Sequence, residues 1–185
     1  MISIGIDAST TCIGWSIFDD DNLVNCGKIK PTINDLEWRD RIQNFIPQLQ
    51  LIIEEYKPQK MYAEDVPLMK QKGMKTLVQL GAIQGMLITL CGVNGIDMNF
   101  IPVSTWRKDI GLFDGTEKGK ERDEMKIKSI NKANDLFGLK LNCIFTKSGR
   151  YNGEKSDDDI SDSILVYCST REKYKIKIKS FGKGR

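Results

Sequence analysis

Residues 2–7 have the sequence ISIGID and are followed at once by ASTT at residues 8–11. A short apolar run bounded by turn-forming residues is typical of a buried strand. We therefore predict a strand that holds Asp7 at its carboxyl end. Because an aspartate at the end of an apolar run is costly to bury without a partner, a functional role for Asp7 is favoured over a structural one.

The elements after this strand follow a regular order. Two more strands joined by the turn DDDN at residues 19–22 complete an antiparallel meander, and strands and helices then alternate. A short turn around Trp106 follows the last strand. The predicted order is βββαβαβαα, with strands at 2–7, 12–18, 23–29, 61–63 and 99–103, and helices at 35–56 (interrupted by Pro47), 76–91, 117–134 and 157–170.

This order predicts an α/β fold of the ribonuclease H-like plan. Its mixed five-stranded sheet combines the antiparallel meander with parallel strands and is flanked by helices on both faces. The 185 residues suffice for one core and are too few for two full-sized domains. We assign residues 1–172 to one ribonuclease H-like domain and residues 173–185 to a basic C-terminal tail.

The composition excludes several kinds of chemistry. The chain has no histidine, which removes Ser-His-Asp, Cys-His and His-based zinc catalysis. Five cysteines without a C-x-x-C pair indicate neither a disulfide framework nor a structural zinc site. The sequence contains no run of 18 apolar residues, and MISIGIDAST does not resemble a signal peptide. We expect a cytoplasmic protein without a membrane partner.

The charge is unevenly distributed. Residues 171–185 hold seven basic residues and one acidic residue, a net charge of +6, which leaves −3 for the other 170 residues of a chain whose total is +3. Such a basic segment favours contact with a polyanion. Lysines alternate with apolar or aromatic residues from residue 173 to residue 179, which would also suit an edge strand. A DNA-binding arm explains the charge better.

Four acids are predicted to meet at one edge of the sheet. Asp7 and Glu64 end neighbouring parallel strands, whose carboxyl ends share a crevice, and Glu64 is preferred to Asp65 because it directly follows the apolar strand. Asp159 and Asp162 are three residues apart on one helix face, with Asp158 close to that face. Acids at this helix start could instead serve only as caps.

A cluster of four carboxylates needs protons or cations to offset its repulsion. Oxygen ligands without histidine or cysteine favour Mg²⁺, with Mn²⁺ as a substitute. Two ions about 3.5–4 Å apart would hold a phosphodiester for in-line attack, one activating water and the other stabilising the leaving oxygen.

Four motifs carry a family resemblance: IGIDAS at 4–9, YAEDV at 62–66, LGAIQG at 80–85 and DISDS at 159–163. Over nearly the whole chain they resemble the RuvC family of Holliday junction resolvases, specifically the bacteriophage branch that includes lactococcal phage enzymes. The resemblance implies Mg²⁺-dependent nicking of four-way junctions by a homodimer in the host-cell cytoplasm, without a small-molecule cofactor. It implies the catalytic metal ligands Asp7, Glu64, Asp159 and Asp162.

Two features bear on how the DNA would be held. Where family members commonly have an aromatic residue after the second acid, this chain has PLM at residues 67–69. The resemblance also implies that Lys118 and Lys120 lie beside the scissile phosphate. Other basic residues predicted to contact DNA phosphates are Lys70, Lys72, Lys75, Arg107, Lys108, Lys126, Lys173, Lys175, Lys177 and Lys179.

Gly81 and Gly85 lie four residues apart on the second helix. Each costs the helix up to about 1 kcal/mol of propensity relative to alanine. By itself, the spacing is explained by close packing against another element of the same chain.

Three other functions remain open at this stage. The GIDAST turn also begins the actin, Hsp70 and sugar-kinase ATPases, which need two such domains and lack the D-x-x-D helix. A module that binds branched DNA without cutting is a second alternative. The third is a less selective nuclease of the same fold, acting on forks and flaps as well as four-way junctions.

Overall fold

The computed structural model describes residues 1–32, 37–65, 73–113 and 122–176. Within them the chain forms five strands and five helices in the order βββαβαβααα. The bounds are β1 (Ile2–Ala8), β2 (Ile13–Asp19), β3 (Asn22–Ile29), α1 (Trp38–Tyr56), β4 (Lys60–Asp65), α2 (Met74–Asn94), β5 (Asp97–Pro102), α3 (Val103–Asp109), α4 (Arg122–Phe137) and α5 (Asp158–Cys168).

The five strands form one mixed sheet in the order β3-β2-β1-β4-β5. β1 pairs antiparallel with β2 and parallel with β4, and β4 pairs parallel with β5. The predicted antiparallel meander followed by parallel strands is therefore confirmed.

Helices cover both faces of the sheet, as the sequence predicted. On one face, Ile4 and Ile6 of β1 pack with buried residues of α1 and α2, such as Phe45 and Leu87. On the other face, residues of α3, α4 and α5 form a second cluster with Phe18 of β2. Alternation along β1 points Gly5 and Asp7 toward the face covered by α5.

Two local predictions differ from the structure. α1 continues through Pro47, because the backbone hydrogen bond that proline cannot make is offset by the burial of Phe45 and Leu49 on either side. The turn predicted around Trp106 is instead the helix α3. Its seven residues bury the Trp106 indole completely, and this burial stabilises a helix too short to persist alone.

α5 is the buried centre of the second layer. Every residue from Ile160 to Cys168 is buried, and the helix contacts four of the five strands as well as α3 and α4. Two strand glycines allow it to lie this close. A Cβ atom on Gly14 would overlap the backbone carbonyl of Asp159, and one on Gly5 would overlap the carbonyl of Ser163. Glycine inside a strand often marks such a backbone approach.

The chain after α5 returns to the domain. The Arg171 guanidinium is 2.9 Å from Asp21, and the Tyr174 hydroxyl donates a 2.7 Å hydrogen bond to the Asp21 carbonyl. The backbone N–H of Ile176 donates a hydrogen bond to the carbonyl of Asp109. The beginning of the predicted basic tail thus packs against the domain, while residues 177–185 lie outside the described chain.

Gly14→Ala tests the contact between α5 and the sheet. The new methyl group meets backbone rather than a flexible side chain, so we expect a loss of unfolding free energy of about 3 kcal/mol, the upper end for an overpacked core. Urea denaturation measures it. Gly73→Ser is the control, because nothing lies within 4 Å of a Cβ there, and its effect should stay within about 0.5 kcal/mol. Equal stability of Gly14→Ala and the parent protein would contradict the close contact.

Candidate active site

Asp7 and Glu64 lie side by side at the carboxyl ends of β1 and β4. Ile6 pairs with Ala63 in the parallel register, so the next residue of each strand is the acid. The indole N–H of Trp106 donates a 3.1 Å hydrogen bond to the Glu64 carboxylate. Asp65 points to the opposite face, where Gln84 donates a 2.9 Å hydrogen bond to it. The structure therefore groups Glu64, rather than Asp65, with Asp7.

α5 brings two further acids to the same place. Its backbone at Asp159 lies against Gly14, and Gly14 is the cross-strand partner of Asp7. One turn later Asp162 is only 5% exposed. We call Asp7, Glu64, Asp159 and Asp162 the carboxylate site.

Asp162 has two partners outside α5. The Ser129 hydroxyl of α4 donates a short hydrogen bond to one of its oxygens, and Arg107 of α3 lies 3.8 Å from the other. The Ser129 and Ser161 hydroxyls are also hydrogen bonded to each other at 2.9 Å. The three helices of this layer thus meet at Asp162.

The acids of the site act on one another electrostatically. Burial raises the pKa of Asp7 well above its usual value, and the charges of Glu64, Asp162 and Asp159 raise it further. Asp7 keeps some contact with solvent, but the surrounding protein removes enough of its hydration for burial to be the largest cause. The site therefore holds more negative charge than its own partners neutralise.

Burial also raises the pKa of Asp162, although its bond to Ser129 and the charges of Arg107 and Lys126 oppose the shift. The thiol of Cys12 responds in the same direction, because burial and the nearby Asp159 raise its pKa. Negative charge is thus unfavourable at Asp7, Asp162 and Cys12 alike.

Among the described residues, no three acidic or cysteine side chains have the mutual spacing of a preformed metal-ligand cluster. The contacts of the acids explain this spacing, since Glu64 is turned to Trp106 and Asp162 to Ser129 and Arg107. The donor set still suits a hard divalent cation, because it offers only carboxylate oxygens and carries uncompensated charge.

Asp158 has a different set of partners from the other acids. It is 2% exposed, forms a close ion pair with Lys126 of α4, and accepts a 2.7 Å hydrogen bond from the Tyr151 hydroxyl. Burial raises the pKa of Tyr151 to about 12, so its hydroxyl remains a donor. The charge of Lys126 in turn partly opposes the rise in the pKa of Asp7 and of Asp162, which burial causes. Asp158 thus holds the positively charged Lys126 side chain at the edge of the carboxylate site.

The predicted DNA-contacting residues fall into three groups. Arg107 and Lys126 lie at the site, where Arg107 also stacks 5.0 Å over the Trp106 ring. Lys75 and Lys108 are exposed, Lys173 lies over the Tyr174 ring, and Lys175 is 2.6 Å from Glu172. The others lie outside the described residues: Lys70, Lys72, Lys118, Lys120, Lys177 and Lys179.

Sequence reasoning missed several residues that shape the site. Trp106 and Ser129 come from helices far along the chain from their partner acids, and no sequence spacing links them. Gly14 did carry a signal, because a glycine inside an apolar strand indicates close approach of another backbone. Tyr151 lies in a polar, glycine-rich segment whose composition is typical of a loop.

No protein-family model matches the chain. Two curated relatives are named crossover junction endodeoxyribonuclease RuvC. That of Nitratidesulfovibrio vulgaris (strain DP4) is 28% identical over 111 residues, which cover 58% of this chain and 61% of the relative. That of Fusobacterium nucleatum subsp. nucleatum is 30% identical over 99 residues, 51% of this chain and 50% of the relative. The chain thus spans between half and two thirds of the length of these relatives.

Solved structures match over a longer part of the chain. T. thermophilus RuvC in complex with a Holliday junction substrate has a TM-score of 0.61 at 12% identity and covers 91% of this chain and 93% of its own. The fowlpox virus resolvase in complex with Holliday junction DNA has a TM-score of 0.52 at 16% identity, covering 90% and 95%. These likenesses establish a ribonuclease H-like fold of the RuvC kind.

The variant Asp7→Asn tests whether the carboxylate site carries excess negative charge. The protein is studied in EDTA, so that no metal ion is bound. Because the pKa of Asp7 is raised in the folded state, the fold loses stability as pH rises from about 4, the usual carboxyl value, through the folded pKa. The variant escapes this loss, so we expect its melting temperature to exceed that of the parent at pH 8 by about 2 °C or more.

The gain should shrink toward pH 4 and should be absent in the control Asp97→Asn, whose carboxylate is exposed at the opposite edge of the sheet. A parent protein at least as stable as Asp7→Asn at pH 8 would contradict the predicted repulsion.

Proposed function

We propose that this chain is a RuvC-like, metal-dependent endonuclease that nicks branched DNA, resolving four-way junctions and acting on forks and flaps as well. The observation that carries the proposal is the carboxylate site itself. Two acids end adjacent parallel strands, and α5 sets two more beside them through its contact with Gly5 and Gly14. Such a cluster at a strand-end crevice suits metal-assisted phosphodiester hydrolysis.

The comparisons support the same activity. Curated relatives bear the name crossover junction endodeoxyribonuclease, and two solved structures of this fold hold Holliday junction DNA. The bacteriophage branch and a host-cell cytoplasmic location rest on the motif resemblance and belong to the proposal.

Divalent metal ions are the proposed cofactor, Mg²⁺ with Mn²⁺ as substitute and two ions for each site. Asp7, Glu64, Asp159 and Asp162 would hold them, since these four supply only oxygen ligands. When bound, such ions activate water and neutralise charge on the phosphate and the leaving oxygen. The raised pKa of Asp7 fits this role, because a cation offsets the repulsion that raises it.

The chain's own residues would orient the acids and the phosphate. Trp106 fixes one oxygen of Glu64, and Ser129 fixes one oxygen of Asp162. Arg107 and Lys126 carry the positive charges described next to the acids. These two side chains would contact the non-bridging oxygens of a bound phosphate.

Affinity for DNA would come largely from basic residues around this cleft. We include Lys118 and Lys120 beside the scissile phosphate, and Lys75, Lys108 and the basic tail as phosphate contacts. Lys70 and Lys72 follow β4 in sequence and belong to the same proposed surface. Phosphate contacts fix the position of the protein on DNA and do not read sequence.

A homodimer is the proposed assembly, and the exposed stripe of α2 is its proposed interface. The stripe is apolar and recurs at helical spacing: Met74, Val78, Gly81, Gly85, Ile88 and Gly92. Within the described chain, nothing lies within 4 Å of a Cβ at its three glycines. In the part of the chain that the structure describes, no other element packs on Gly81 or Gly85, contrary to the expectation that they serve packing within the chain.

The length and composition of α2 would also pass for a membrane-spanning helix, with 28% of the relevant window buried. Its opposite side packs on the sheet through Ile83, Leu87 and Cys91. A helix buried on one side in a protein core and bearing a flat apolar stripe on the other fits a second copy of the same helix. Glycines at this spacing let two helices approach closely.

Cleavage depends on Asp7 in this proposal. Labelled four-way, forked and linear duplex DNA should be nicked by the parent protein only with Mg²⁺, and the branched forms faster than the duplex. Asp7→Asn should bind the four-way junction within about threefold of the parent and lower the nicking rate by about 10³-fold or more, because the variant lacks an essential metal ligand.

Asp97→Asn is the matched control and should cut normally. Undiminished cutting by Asp7→Asn would rule out the metal site, and equal cutting of linear duplex would rule out structure selectivity. Binding without any cutting by the parent protein would favour the non-cleaving module.

Ile88→Glu tests the α2 interface. A carboxylate in the middle of an apolar interface is left unpaired and desolvated on association, so we expect a monomer where the parent is a dimer. Analytical ultracentrifugation of both proteins measures the change. Leu51→Glu, at an α1 residue that is 66% exposed, should remain dimeric. A parent that sediments as a monomer, or an Ile88→Glu variant that still dimerises, would contradict this interface.

A further inference from the structure

Residues 144–152 form a small hairpin between α4 and α5. Phe145 and Tyr151 make an antiparallel bridge, and the backbone N–H of Thr146 donates a 2.7 Å hydrogen bond to the Arg150 carbonyl. Gly149 closes the turn with a φ of 78°, which favours glycine. We call this segment the 144–152 hairpin.

The hairpin is fixed to the first turn of α5. Tyr151 reaches from its second arm to Asp158, the neighbour of Asp159. Below it, the Ile144 N–H donates a hydrogen bond to the Ser156 hydroxyl, and Asn142 donates two hydrogen bonds to the Asp157 carboxylate. The position of the hairpin is thus tied to the helix that carries two acids of the carboxylate site.

A second attachment comes from the edge of the sheet. Lys28 of β3 is 2.8 Å from Asp157 and donates a hydrogen bond to the Ser156 carbonyl. Lys30 donates a hydrogen bond to the Glu154 carbonyl. These contacts hold the base of the hairpin from both sides and leave its tip to project outward.

The tip presents one aromatic ring and two cations to solvent. Residues 145–150 are all exposed, and Phe145 is 50% exposed with its ring edge-on to Tyr151 at 6.3 Å. Lys147 and Arg150 are the charged residues of the hairpin, which contains no acid. An exposed ring beside positive charge is the chemistry with which proteins bind unpaired nucleotides, by stacking on a base and contacting its phosphates.

We infer that the 144–152 hairpin is a second DNA-contacting element, in which Phe145 stacks on an unpaired base at a branch point while Lys147 and Arg150 contact the adjoining phosphates. This inference rests on the proposed nuclease function and specifies how its site would find unpaired bases. A protein partner would be expected to meet the two cations with acidic residues. DNA is favoured because the hairpin is anchored one residue from a proposed metal ligand.

The test measures binding to a four-way junction with 2-aminopurine at the branch, and to a linear duplex of equal length, with Ca²⁺ in place of Mg²⁺. We expect Phe145→Ala and Phe145→Leu each to weaken junction binding about tenfold or more, while duplex binding stays within about twofold. The leucine variant keeps an apolar contact with Tyr151 and lacks a ring for the base. The 2-aminopurine fluorescence quenched by the parent should recover in both variants.

Removal of the charges is tested separately. Lys147→Ala with Arg150→Ala should reduce the slope of log K against log salt by about 0.9 for each phosphate that the protein no longer neutralises. The matched control is Lys57→Ala with Lys60→Ala, an equal change of charge at the opposite edge of the sheet. It should leave the slope unchanged.

Two results would overturn the inference while leaving the proposed function intact: parent-like junction binding by both Phe145 variants, or the same slope for the tip and control pairs. A parent that neither binds nor nicks branched DNA would instead refute the proposed function, and the inference with it.

Discussion

The close contact between the backbone of α5 and two strand glycines is the constraint on which the rest of the structure depends. Any side chain at Gly5 or Gly14 would occupy the space of an α5 carbonyl. Because the backbone of α5 contacts the backbone of the strands directly, the helix packs close to the sheet and is buried along most of its length. The same contact places Asp159 beside the strand residue that pairs with Asp7.

This arrangement concentrates charge where charge is unfavourable. Desolvation and mutual repulsion raise the pKa values of Asp7 and Asp162, and Ser129, Arg107 and Lys126 only partly oppose the shift. Stability would be better served by apolar residues at these positions. Charged residues that lower the stability of the fold in this way are typical of functional sites. A bound cation would offset their repulsion.

The sheet and the two strand-end acids of the site could be predicted from the sequence for clear physical reasons. Apolar runs ending in Asp7 and Glu64 indicated strand ends, and Glu64 was preferred to Asp65 because it directly follows its apolar run. Other features depended on contacts between distant elements. Trp106 meets Glu64 across 42 residues of sequence, α3 exists because its indole is buried, and α1 tolerates Pro47 because its neighbours are in the core. The outward direction of the α2 glycines and the anchoring of Tyr151 likewise required the folded chain.

The most direct measurement of the central claim is a crystal structure of the protein with Mn²⁺, using anomalous scattering to locate the ions. The predicted result is manganese bound between the two strand-end acids and the two α5 acids, with Arg107 no longer paired with Asp162. Manganese bound elsewhere, or Asp162 still paired with Arg107 at saturating Mn²⁺, would contradict the claim that the glycine contact builds a metal site.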